Sequence, residues 1–66
     1  MAALLTREQF NHYLQAYYQE HWGIREDDHW YEQPAVNVWV FGRENRIITL
    51  KSHVLTGEVE EKIETL

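Results

Sequence analysis

The chain has no cysteine. No disulfide can brace it, no thiolate can act as a nucleophile, and no cysteine zinc site can form. Serine is almost as scarce: Ser52 stands alone, with His53 directly after it. Neighbouring side chains on a strand point to opposite faces, which keeps His53 from serving as base to Ser52. The three glycines, at 23, 42 and 57, are isolated, so there is no phosphate-cradling glycine loop. The residue set predicts neither an enzyme nor a cofactor.

Cations are also few. Six Lys and Arg stand against eleven Asp and Glu, a formal net charge of −5. Such a chain is repelled by a phosphate backbone unless its cations cluster. Nucleic acid is therefore not expected as a general partner, and a protein with a basic surface is. No apolar run approaches the ~20 residues of a membrane span. Met1 to Leu5 lacks the charged start of a signal peptide. The expectation is a soluble cytoplasmic protein with no membrane association, for which the absence of cysteine suits a reducing compartment.

Aromatic residues are plentiful: three Trp, four Tyr and two Phe in 66 residues. A chain this short forms one domain, 1-66, and buries only ~60% of its unfolded surface. Dense aromatic packing, or a homodimer, is then needed for stability. No internal repeat or low-complexity stretch is present.

Thr6 to Gly23 reads as one amphipathic helix. Thr6 and Gln9 have capping-box spacing, with Leu5 and Phe10 placed as a hydrophobic staple. Phe10, Tyr13, Leu14, Tyr17 and His21 recur at helical spacing, and Tyr18 and Trp22 widen the stripe. Gly23 suits the residue after the helix, where a positive φ is needed. Ile24 to Pro34 follows as a connector that Trp30 and Tyr31 pin to the core, with Asp27 or Asp28 capping a brief turn.

Val36 to Phe41 alternates as a strand, Gly42 to Asn45 reads as a turn, and Arg46 to Lys51 forms a second strand. The uniformly apolar Val36, Val38 and Val40 face is assigned to the helix. Trp39 and Phe41, with Ile47, then fall on the opposite face. Thr56 begins a short C-terminal helix in which Val59, Ile63 and Leu66 share a face. Val59, Glu61 and Ile63 also alternate as in a strand, but Glu-rich strands are uncommon and the helix is preferred. The predicted fold is α+β: an N-terminal amphipathic helix packed on a two-stranded antiparallel β-hairpin, followed by a short C-terminal helix. Pairing two hairpins across a two-fold axis would make a four-stranded sheet that covers Trp39.

These features predict a small acidic, non-catalytic protein–protein interaction module of adaptor or inhibitor type. Its protein-binding residues are the aromatic face, Trp39, Phe41 and Ile47, and the acidic segments, Glu26, Asp27, Asp28, Glu58 and Glu61. An alternative is single-stranded nucleic-acid binding by Arg43, Arg46 and Lys51 beside those aromatics. A second alternative is metal binding by histidines. Glu8 and His12 are helical neighbours, but His12, His21, His29 and His53 show no established ligand spacing, and no metal ligand is assigned.

Overall fold

The structure, a computed structural model, describes residues 3–66. Met1 and Ala2, the start of the segment weighed above as a leader, lie outside the described residues. Helix α1 spans Arg7–Tyr17 and runs on through one π-helical turn, Tyr18–Trp22. Four strands follow: β1 (His29–Trp30), β2 (Val38–Arg43), β3 (Arg46–Ser52) and β4 (Val59–Thr65). They form one antiparallel sheet in the order β1-β2-β3-β4. The helix lies across one face of that sheet.

Both helix ends follow from local chemistry. Thr6 Oγ1 accepts from the Gln9 N–H at 3.2 Å, and Gln9 Oε1 accepts from the Thr6 N–H at 2.8 Å. This is the predicted capping box, and it satisfies two donors that a helix start leaves open. At the other end the Gly23 N–H donates to Tyr18 O at 2.8 Å, and Gly23 takes a φ of 74°. That φ region is open to glycine at no steric cost. The buried line of the helix is Phe10, Leu14 and Tyr18, flanked by half-buried Tyr17 and Trp22. Of these, Leu14 and Tyr18 pack with Phe41, Ile48 and Leu50 of β2 and β3.

The sheet face against the helix is therefore the reverse of the predicted one. Trp39, Phe41 and Arg43 point toward the helix, opposite Leu50, Ile48 and Arg46. Val38 and Val40 lie on the outer face, half-buried among Thr49, Ile47 and Lys51. The reason is volume: the space between helix and sheet takes large aromatic rings, whereas β-branched valines suit a half-covered pleated surface. The register follows from a turn of only two residues, Glu44 and Asn45, between paired Arg43 and Arg46. Glu44 carries the positive φ, 58°, in a turn predicted to run from Gly42 to Asn45. Gly42 instead sits within β2, where its bare backbone lies under the Tyr31 ring. Val36 lies before the strand, in a turn closed by Val38 N–H to Ala35 O at 3.1 Å.

Two further expectations are corrected. The sheet has four strands within one chain, so no second copy is needed to complete it or to cover Trp39. The C-terminal segment is a strand, not a helix: Val59 to Thr65 pairs residue for residue with Ser52 to Arg46. Pairing satisfies the backbone along its inner side, and tertiary context overrides the weak strand preference of glutamate. The loop before it also blocks a helix start at Thr56. Gly57 takes a φ of 79°, its N–H donates to His53 O at 3.0 Å, and His53 N–H donates to Glu58 O at 2.7 Å.

Gly57 has a second constraint. A Cβ at that position would stand 2.5 Å from the Tyr13 ring, which lies flat on the loop. Gly57→Ala is expected to destabilise the fold by about 1–3 kcal/mol through the positive φ and this clash. Tyr13→Ala in the same chain should recover only the clash component, which urea unfolding of the single and double variants will measure.

Candidate functional site

The most connected side chain is Arg43, at the end of β2 nearest the hairpin turn. Its position on the helix-facing side of the strand aims the guanidinium at the end of the helix. Nη1 donates to Trp22 O at 2.8 Å, and Nη2 donates to Gly23 O at 2.9 Å. These are carbonyls that a helix terminus leaves without partners, and a cation there is also favoured by the helix dipole. The same guanidinium holds Asp28 in a two-pronged pair, Nε to Oδ1 and Nη2 to Oδ2, both at 2.7 Å. Tyr18 Oη donates to Asp28 Oδ2 and accepts from the Arg25 N–H. The Trp22 and Phe41 rings each flank the guanidinium, 5.6 Å from its centre.

This cluster is withdrawn from water: the Asp28 side chain is fully buried and that of Arg43 is 11% exposed. The Arg43 hydrogen bonds hold the Asp28 carboxyl below its ordinary pKa, against the opposing effect of burial. Burial, aided by the hydrogen bond to Asp28, pushes the Tyr18 phenol up. The pair with Asp28 likewise raises Arg43. Two residues proposed for binding, Asp28 for protein and Arg43 for nucleic acid, are thus each other's partners inside the fold. Sequence spacing does not reveal this pair. One signal was available: Arg43 shares the strand face of Trp39 and Phe41, so a buried arginine there demands a buried acid.

The other predicted site residues are dispersed. Phe41 is in the core, and Ile47 is half-buried on the outer face. Glu26 and Asp27 are exposed, and Asp27 pairs with Arg25 at 2.9 Å. Glu58 and Glu61 are exposed as well, but Glu61 accepts from the Trp22 indole N–H at 2.8 Å and raises the pKa of the Tyr17 phenol, after burial itself. Arg46 and Lys51 are exposed on opposite sheet faces. Ser52 is buried, with no partner for its hydroxyl among the described residues, whereas His53 Nδ1 accepts from the loop N–H groups of Leu55 and Thr56. Among the described residues, no three His, Asp or Glu side chains gather in a way that would hold a metal ion. No described helix is long and apolar enough to cross a membrane.

Trp39 does help to form a site. Strand β1 is two residues long and stops opposite Phe41. Beside it opens a cleft of about 360 Å³, lined by Asn11 of the helix, Trp30, Tyr31, Gln33, Trp39 and Val40. The Trp30 and Trp39 rings stand at 88° with centres 5.5 Å apart, and together they make an L-shaped wall. Trp30 is braced from behind by Tyr18 and Phe41. The lining carries no ionisable group other than the Tyr31 phenol, and its polar residues include the amides Asn11 and Gln33. Sequence reasoning picked out Trp39 but missed Trp30 and Tyr31 as its neighbours, because β1 is too short to show a periodic pattern.

Removing one partner of the Arg43–Asp28 pair leaves a buried charge unpaired, at a cost of about 3–5 kcal/mol. A chain of this size has about 3–10 kcal/mol in all, so Arg43→Met is expected to be largely unfolded in urea titrations or by circular dichroism. The contribution of Asp28 also has a defined pH window. Its folded pKa lies below the ordinary 3.8, so the unfolded state binds the proton more readily. Its stabilisation is complete above the ordinary pKa and is lost as the pH falls through the lowered one. The stability gap between the native chain and Asp28→Asn should therefore be constant near neutrality and close in acid. Comparison with known protein families, with characterised proteins and with solved structures found no match for this chain.

Proposed function

We propose that this protein is a non-catalytic interaction module of adaptor type that holds an extended, proline-containing segment of another protein. The observation that supports this reading is the cleft walled by Trp30, Trp39 and Tyr31. Aromatic walls with uncharged donors suit a polyproline II segment, whose rings pack on aromatics and whose carbonyls accept hydrogen bonds. Such a segment is extended before binding, so little ordering entropy is lost. The net charge of −5, with Glu32 between Tyr31 and Gln33, favours a segment that also carries Lys or Arg. In this reading Trp39 keeps the binding role inferred from the sequence, while Phe41 supports it from the core.

The test is a titration of the isotope-labelled protein with a proline-rich peptide bearing two lysines, followed by nuclear magnetic resonance. The indole N–H signals of Trp30 and Trp39 should shift together and saturate, while that of Trp22, held by Glu61, stays in place. Trp39→Ala should weaken binding by about 2 kcal/mol or more. Tyr31→Ala serves as the second variant, because Trp39 also packs against the core. No saturable shift at either indole, or unchanged affinity in both variants, would contradict the proposal.

A further inference from the structure

The two edges of the sheet are unequal. Strand β1 is two residues long, whereas β4 runs for seven residues and, among the described residues, has nothing paired to its outer side. The His53 N–H bonds to Glu58 O and the Leu66 N–H bonds to Asn45 O, both at 2.7 Å, and these two bonds bracket the strand. With the continuous register between them, they set the antiparallel parity. Glu60, Lys62 and Glu64 exchange bonds with β3. The backbone N–H and C=O groups of Val59, Glu61, Ile63 and Thr65 point away from the sheet. Ile63 is 45% exposed and Leu66 is 78% exposed along this edge.

We propose that β4 pairs antiparallel with β4 of a second copy, with Ile63 on the two-fold axis. The register follows by elimination. Across such an axis, paired residues must lie on the same sheet face, so one residue always sits opposite itself. Glu60, Glu61, Lys62 or Glu64 on the axis places like charges directly opposite, which is unfavourable. Val59 on the axis sets Glu58 against Glu60 twice. Thr65 on the axis pairs only the last residues of the strand. Ile63 on the axis avoids all of these conflicts. It meets Ile63 of the second copy, Lys62 meets Glu64, Glu61 meets Thr65, and Glu60 meets Leu66.

In this register the outward backbone groups of Glu61, Ile63 and Thr65 find partners on both copies. The Lys62 and Glu64 side chains form two symmetric attractive pairs on the outer face. Within one chain these two already sit 3.3 Å apart and well exposed, so they are free to be shared. The result is one continuous sheet, β1-β2-β3-β4 joined to its inverse. The clefts beside β1 remain open at its two far ends, so the dimer is independent of what they bind and makes that binding bivalent.

Sedimentation equilibrium of the full chain tests this. The native protein should show a monomer–dimer equilibrium with a Kd in the range of about 10–100 μM, as expected for a small interface. Lys62→Glu and Glu64→Lys should each weaken dimerisation about tenfold or more, since each turns two attractive pairs into repulsive ones. An equimolar mixture of the two variants should form heterodimers with native affinity, because each glutamate then faces a lysine. The intrachain pair is broken in both variants, so only contact between chains can restore association. Circular dichroism melts will identify any variant that fails to fold, and the double variant, with both charges exchanged, restores the attraction between chains and should regain the dimer. A monomer up to about 1 mM, or association indifferent to the single changes, or no recovery in the mixture and the double variant, would overturn the proposal.

Discussion

One buried guanidinium ties the end of the helix, the connector and the sheet to one another. Arg43 closes the end of the helix through the Trp22 and Gly23 carbonyls and fastens the connector through Asp28. It does so from the end of a strand whose face also carries Trp39 and Phe41. A buried ion pair is weak evidence for net stability, because desolvation of both charges offsets much of their attraction. Its effect here is specificity. An alternative packing of the helix or connector would leave a charge buried without a partner. The Tyr18 hydroxyl adds a third member, so the helix contributes a side chain as well as its terminal carbonyls.

That constraint also shapes the surface. With Asp28 held by Arg43, β1 runs beside β2 and Trp30 is set edge-on to Tyr18 and at a right angle to Trp39. The cleft is thus built on the helix, β1 and β2, with Tyr31 of the connector tied to β2 through its N–H to Val40 O at 3.1 Å, which favours a preorganised binding site. The long edge lies at the opposite side of the sheet, where the charge sequence of β4 decides which pairing is tolerated. One edge of the sheet offers aromatic surface and the other offers backbone.

Local signals in the sequence were reliable where the physics is local. The capping box at Thr6 and Gln9, the stop at Gly23 and the line through Phe10, Leu14 and Tyr18 all depend on residues a few positions apart. The reversed sheet face shows where locality ends. Grouping Ile47, rather than Ile48 and Leu50, with Trp39 and Phe41 conflicts with strand parity, because a turn of four residues, Gly42 to Asn45, already sets Trp39 opposite Ile48. The two-residue turn at Glu44 and Asn45 likewise places Trp39, Phe41, Ile48 and Leu50 on one face. The acceptance of positive φ by Glu44, a residue with no special freedom there, hides that turn. The C-terminal strand was visible as alternation but was outweighed by glutamate content, a weak preference that pairing with β3 overrides. The Arg43–Asp28 pair spans fifteen positions and had no local signature. Neither residue is a free surface charge, and the candidate site lies in the cleft at the sheet edge rather than on the sheet face.

Hydrogen exchange at the Arg43 side chain measures the central constraint most directly. Its Nε–H donates to Asp28 at 2.7 Å in a largely buried position. Its exchange should be as slow as that of the Phe41 and Ile48 core amides and should require global unfolding. Exchange as fast as at the exposed Arg7 and Arg46 side chains would show that the guanidinium is not held, and the arrangement of helix, connector and sheet described above would then lack its fastening.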